Sequence, residues 1–247
     1  MRTLLTLILS IGMMVAVTAN SAVVGEWTFN EGSGNVAEDT SGNNNNGTID
    51  QATWVQNGKY GSALDFNGTN GSVVVENKDI LAPKDAASVT AWAFLRRYPE
   101  GDQCCLCIFS KGGDHKDFDI QVESDKLIKF YLSSTPNNYN VISKTEMTLN
   151  EWVFIVVTYK ANDAISIYVN GKLENTTEIT EARDPSTEPV RIGVSSWPNR
   201  FWDGMLDEVR LFDTALNEAE IENMMTNPTA VSSKDGLTTV WGQMKSK

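Results

Sequence analysis

Ala164-Ile165-Ser166-Ile167-Tyr168-Val169-Asn170-Gly171 is the stretch from which the fold can be read. Ile165, Ile167 and Val169 alternate with Ser166 and Tyr168, the period of a strand with one face buried. Asn170-Gly171 then closes the run, as a type I′ hairpin turn needs positive φ at both central residues. The same grammar recurs outward from it. Short runs at Ser88–Leu95, Asp117–Glu123, Lys126–Leu132, Glu151–Tyr159 and Leu206–Phe212 repeat the pattern, separated by Gly, Asn, Asp and Pro clusters. These runs predict an all-β chain, a two-sheet antiparallel β-sandwich, with one short C-terminal helix. The helix is expected from Glu218 to Met225, with Asn217 as cap, Glu220 completing a capping box and Pro228 as the stop. No period of 20 to 50 residues repeats, which argues against a solenoid or propeller.

The N-terminus predicts export. Arg2 precedes an apolar run from Leu4 to Val17 that ends in Thr18 and Ala19, the form of a secretory signal peptide over residues 1–19. Cleavage after Ala22 is less favoured because Asn20 would then occupy a small-residue position. The run is about 14 residues, short of the roughly 20 that span a bilayer, and no later segment is apolar enough to cross. The expectation is a mature chain without a transmembrane segment, secreted to an extracellular, periplasmic or cell-surface location. One domain over residues 20–228 and a tail over 229–247 account for the rest. A formal charge of −12 disfavours nucleic acid or an anionic membrane as partner.

Three cysteines, Cys104, Cys105 and Cys107, fall within four residues, so they cannot staple distant strands. Either a local disulfide joins Cys104 to Cys107, leaving Cys105 free, or all three are thiols. Zinc is disfavoured, because the single histidine, His115, comes without a second Cys pair.

Several motifs in order resemble the laminin-G-like jelly-roll family of the concanavalin A-like lectin/glucanase fold group. They are Gly25-Glu26-Trp27-Thr28-Phe29-Asn30-Glu31-Gly32-Ser33-Gly34, Asp39-Thr40-Ser41-Gly42-Asn43-Asn44-Asn45-Asn46-Gly47-Thr48 and Gly58-Lys59-Tyr60-Gly61-Ser62-Ala63-Leu64-Asp65-Phe66. Ser88-Val89-Thr90-Ala91-Trp92, Glu151-Trp152-Val153-Phe154, Tyr168-Val169-Asn170-Gly171-Lys172 and Gly204-Met205-Leu206-Asp207-Glu208-Val209-Arg210 follow. The resemblance implies two stacked antiparallel sheets with the first and last strands close together. It also implies that Trp27, Phe29, Trp92, Trp152 and Phe212 fill the space between the sheets.

The resemblance further implies a structural calcium ion (Ca2+) near the Asn-rich segment. Asp39 and Asp207 are the carboxylate candidates, and Asn43 and Asn45 would add amide or backbone oxygens, the hard donors such a cation takes. Position 44, often Gly in the family, is Asn here. The competing reading is that the Asn-rich stretch simply forms turns.

For ligand contact, Trp197, Asn199 and Arg200 form the clearest group: an indole can stack on a sugar face while amide and guanidinium bond its hydroxyls. Tyr98 and Asp102 in one loop, and Asn137, Asn138 and Tyr139 in another, are weaker candidates. Local packing is the competing reading for Trp197, and Phe201 and Trp202 read as packing residues. Catalysis lacks its residues. A glycosidase needs two carboxylates flanking one bond, and the related glucanases carry Glu-x-Asp-x-Glu on one strand, which does not occur here. Asp117, Asp119 and Glu123 share a strand face that reads as solvent-facing, and His115 reads as an exposed turn residue. The resulting expectation is a secreted non-catalytic binding module, carbohydrate-binding with a structural calcium. The alternative is a protein-interaction or adhesion module, its partner a cell-surface or matrix protein instead of a glycan.

Overall fold

The computed structural model describes residues 22–112 and 118–227. Residues 1–19, expected as a signal peptide, residues 229–247, expected as a tail, Asp117 and His115 therefore lie outside the described residues. Among the described residues the strands run, in chain order, β1 Val23–Trp27, β2 Val36–Ala37, β3 Gly47–Asp50, β4 Thr53–Val55, β5 Ala63–Asn67 and β6 Ser72–Val75. They continue as β7 Ala86–Leu95, β8 Cys105–Lys111, β9 Phe118–Glu123, β10 Leu127–Ser133, β11 Asn138–Glu146 and β12 Trp152–Lys160. Last come β13 Ala164–Val169, β14 Lys172–Glu178, β15 Val190–Ile192, β16 Asp203–Phe212 and the helix α1 Glu218–Thr226. The first sheet has the order β14-β13-β12-β7-β16-β5-β4, with β1 also on β16, and the second β11-β10-β9-β8-β15-β6-β3-β2. Every strand pairing is antiparallel. This is the predicted jelly-roll sandwich.

The hairpin forms where its sequence places it. Asn170 and Gly171 take φ of 50° and 77°, as a type I′ turn requires. The Asn170 side chain adds a lock, accepting the Phe154 N–H at 3.0 Å. The C-terminal helix also follows its signal: Asn217 Oδ1 accepts the Glu220 N–H at 3.0 Å, and the Glu220 carboxylate accepts the Asn217 N–H at 2.8 Å.

First and last strands meet as expected. Trp27 pairs with Val209 and Val23 with Phe212. The register shifts between Asp207 and Arg210, where Glu208 takes φ of 52°. That bulge lets β16 pair with β5 through its first half and with β1 through its second. It also gathers charge: buried Arg210 donates to Glu26 at 2.7 Å and bonds Glu208, an ion network inside the sheet.

The main core lies between the sheets. Trp27, Phe29, Phe66, Phe109, Phe130 and Trp202 are wholly buried there. The expectation that Trp92, Trp152 and Phe212 share this core is corrected. Trp92 and Phe212 belong instead to a second cluster with Phe154, Val156, Tyr168, Ile221 and Met224, against which Trp152 packs. Alternation is the reason. Val153, Ile155 and Val157 of β12 point to the second sheet, so Phe154 and Val156 must point outward. Helix α1 covers that outward face, so β12 is buried on both sides and reads as one apolar run. The outer face of the second sheet carries no such helix among the described residues.

Candidate functional site

That outer face is built by register. On β9, Phe118, Ile120 and Val122 enter the core, which turns Asp119, Gln121 and Glu123 outward. Strand β8 sets Cys107 opposite Gln121 and Cys105 opposite Glu123, while β10 sets Tyr131 opposite Asp119 and Lys129 opposite Gln121. Over one end of the face lies the 194–201 loop, closed by a bridge between Val194 and Phe201. Gly193 anchors the loop base, donating to Ile108 O at 2.9 Å and accepting from Trp202 N at 2.8 Å. Its φ is 76°, and a Cβ there would meet the Phe66 ring at 2.2 Å, so only glycine fits.

The loop brings two of the sequence candidates together. The Arg200 guanidinium lies 5.2 Å from the Trp197 ring centroid, a cation–π contact. Trp197 is 40% exposed, whereas Arg200 is only 8% exposed. Arg200 Nη1 also approaches Asp119 Oδ2 at 4.0 Å and makes no hydrogen bond. Asn199, at φ 63°, turns the chain between them and is exposed.

The solvent-face reading of Asp119 is corrected. Asp119 is 2% and Gln121 0% exposed, hemmed in by neighbouring side chains on three strands and by the Arg200 loop. Burial pushes the Asp119 carboxyl up to about 6, against the opposing pull of the Cys107 hydrogen bond and of Arg200. Cys107 Sγ donates to Asp119 Oδ1 at 3.2 Å. Glu123 is held differently: it accepts from Lys129 at 2.6 Å and from Gln121 Nε2 at 3.2 Å. Gln121 Oε1 has no partner. Two buried polar atoms on this face, Arg200 Nη1 and Gln121 Oε1, therefore lack a hydrogen-bond partner. Such groups usually have partners. The sequence pattern offered no route to Asp119 and Gln121, because period-two polarity looks the same on a wet face and on a face roofed by a distant loop.

The other ligand candidates sit elsewhere. Tyr98 donates its hydroxyl to Met147 O at 2.8 Å and packs on the core edge. The Ser133–Asn140 segment, expected as a loop, enters strand β11, where Tyr139 pairs with Leu132 and bonds Glu181. Asn137 donates to the same Glu181 at 3.0 Å. Tyr139 and Asn137 thus tie β11 to the 180–181 segment.

The proposed disulfide between Cys104 and Cys107 is corrected: all three cysteines are free. Cys107, within β8, turns its Sγ to Asp119, while Cys104 lies before the strand. Cys104 lies instead against Cys105, Sγ to Sγ 2.7 Å.

The calcium candidates each have partners within the protein. Asp39 spends its oxygens on three backbone N–H groups, those of Glu26 at 2.9 Å, Ser41 at 3.0 Å and Asn45 at 2.8 Å. Asn43 and Asn45 turn their amide N–H groups to the Val23 and Val24 carbonyls. The loop is thereby latched to β1, and Trp27 Nε1 adds a bond to Asn45 O at 2.9 Å. Asp207 is held by another segment, accepting Tyr60 N–H at 2.9 Å, and burial raises its carboxyl to about 7. Among the described residues no three acidic, Cys or His side chains gather as a metal site. Both Asp39 oxygens thus accept N–H bonds, whereas Asn45 Oδ1 and Asp207 Oδ1 are buried without a hydrogen-bond partner.

Comparison with known proteins agrees with this architecture. The sequence model of the concanavalin A-like lectin/glucanases superfamily matches residues 67–222. The chain belongs to this superfamily. No curated protein sequence matches the chain. Among solved structures, this superfamily member is similar to domain 4 of AbnA, an extracellular GH43 arabinanase from Geobacillus stearothermophilus, in complex with arabinotriose. The TM-score is 0.68 at 18% identity, over 83% of this chain and 99% of that domain. It is equally similar to the binding domain of Paraclostridial Mosquitocidal Protein 1, TM-score 0.68 at 17% identity, over 83% and 52% of the two chains. The binding domain of botulinum neurotoxin DC in complex with rat synaptotagmin II follows, TM-score 0.62 at 16% identity, over 83% and 51%. The chain spans about half the length of these toxin binding domains. At such identities the likeness shows the shared fold. Among the described residues no helix is long and apolar enough to cross a membrane.

Proposed function

We propose that the protein is an exported, non-catalytic carbohydrate-binding module whose ligand lies on the outer face of the second sheet. The observation that carries this reading is exposed Trp197, set by the 194–201 loop against the buried Arg200 guanidinium, with exposed Asn199 between them. A sugar offers an apolar ring face for the indole and hydroxyls that can bond the exposed Asn199 amide beside it. The likeness to AbnA domain 4, solved with arabinotriose, supports the choice of ligand class.

The outward residues of β9 argue against hydrolysis. They read Asp119-x-Gln121-x-Glu123 and not Glu-x-Asp-x-Glu, and Glu123 is held by Lys129 at 2.6 Å. Gln121 occupies the position between the two carboxylates, and an amide neither donates a catalytic proton nor acts as nucleophile.

The test is a glycan array with wild type, Trp197→Ala and Arg200→Ala. Selective binding to one sugar class, weakened about tenfold or more by either substitution (~1.4 kcal/mol or more), is the expected result. A blank array, or binding indifferent to both substitutions, would overturn the sugar reading. Recovery of one protein partner in its place would favour a protein-interaction module, the role suggested by the likeness to the neurotoxin domain solved with synaptotagmin II.

A further inference from the structure

Cys104 and Cys105 are adjacent in sequence, and their side chains converge so that the two sulfurs are in direct contact, Sγ to Sγ 2.7 Å. The two thiols differ in access. Cys104 is exposed just before β8, while Cys105 is 1% exposed within it. Cys107 is no competitor: it is bonded to Asp119, and it lies two residues along the strand from Cys105, some 7 Å away. From this geometry we infer that Cys104 and Cys105 form a redox-responsive vicinal dithiol, closing to a disulfide by exchange with a low-molecular-weight disulfide such as oxidised glutathione.

The exchange balances in two steps. The exposed Cys104 thiolate attacks one sulfur of the external disulfide, forming a mixed disulfide and expelling one thiolate. Cys105, once deprotonated, attacks Cys104 Sγ; the mixed bond breaks and the second external thiolate leaves. The protein loses two electrons and two protons, and one external disulfide becomes two thiols. Burial and the Cys104 contact hold the Cys105 thiol well above its ordinary value, so the second step quickens as pH rises. Neighbouring Cα atoms stand about 3.8 Å apart, inside the ~4.4 Å lower bound of relaxed disulfides. The closed ring is accordingly strained and readily reopened by reductant, as a switch requires.

The pair lies beside the proposed ligand face, since Cys105 and Cys107 share the outward side of β8 and Cys105 stands opposite Glu123. The inference itself does not depend on a sugar ligand. It is tested on the folded full chain, reduced with a phosphine and then incubated with oxidised glutathione across alkaline pH. Maleimide labelling of the unfolded product and tandem mass spectrometry then locate the bonds. The reduced chain should take up three labels and the oxidised chain one, at Cys107, with a Cys104–Cys105 peptide lighter by two hydrogens. Cys107→Ser should leave that closure intact, and Cys104→Ser and Cys105→Ser should each abolish it; circular dichroism checks that each variant is folded. Three labels after oxidation, a lasting glutathione adduct on Cys104 without ring closure, or a Cys104–Cys107 bond would each overturn it.

Discussion

Replacing Asp119 by Asn should change how stability depends on pH, and the size of the effect follows from burial. The Asp119 carboxyl is raised from 3.8 to about 6 in the folded protein. Unfolded, it titrates near the ordinary value of about 3.9. The gap of about 2 units, at ~1.36 kcal/mol per unit, amounts to about 3 kcal/mol. The sign follows from the direction. Folding favours the neutral acid, so this contribution is fully present below about pH 4 and is lost as pH rises through about 6. Asn cannot ionise, yet its Oδ1 can still accept from the Cys107 thiol. The assay is urea unfolding of wild type and Asp119→Asn at several pH values from about 4 to about 8. The stability of the variant relative to wild type should grow by about 3 kcal/mol across that range. Asp207, whose carboxyl is raised to about 7, titrates in both proteins and cancels in the difference. A difference that stays flat, or that falls with rising pH, would refute the buried-acid account of this face.

Arg200→Met should push the Asp119 carboxyl higher still, because it removes a cation that lowers it; carboxyl-carbon NMR titration reads this directly. Gly193→Ala should destabilise the chain by about 3 kcal/mol or more through its clash with Phe66 and its positive φ, seen as a lower urea midpoint. Asn217→Ala should cost about 1 kcal/mol by removing the capping box of α1. Asp39→Ala should cost about 3 kcal/mol through its three lost N–H bonds, whereas EDTA should leave the wild-type melting midpoint unchanged. A midpoint lowered by EDTA and restored by calcium would show a bound ion.

Strand identity was legible locally because burial on one face of a strand imposes period two, and Asn170-Gly171 declares its own turn. The helix was legible too, since the Asn217 and Glu220 cap is a contact three residues long. Short strands such as β2 and β15 left little trace, having two and three residues each. Asp39 shows the limit for sites. Its residue type suits calcium, but the sequence does not show that its partner Glu26 N, 13 residues away, makes it a latch between the loop and β1.

The sequence by itself determined an all-β chain, its hairpin, its capped helix, the absence of a Glu-x-Asp-x-Glu strand and the pairing of Trp197 with Arg200 in one loop. Each is set by neighbours a few residues apart. Only the tertiary structure decided that Trp92 and Phe212 pack beneath α1, outside the intersheet core, and that Asp119 is buried under Arg200. Those outcomes depend on which of two identical-looking strand faces a remote segment covers, and alternation alone is symmetric between them.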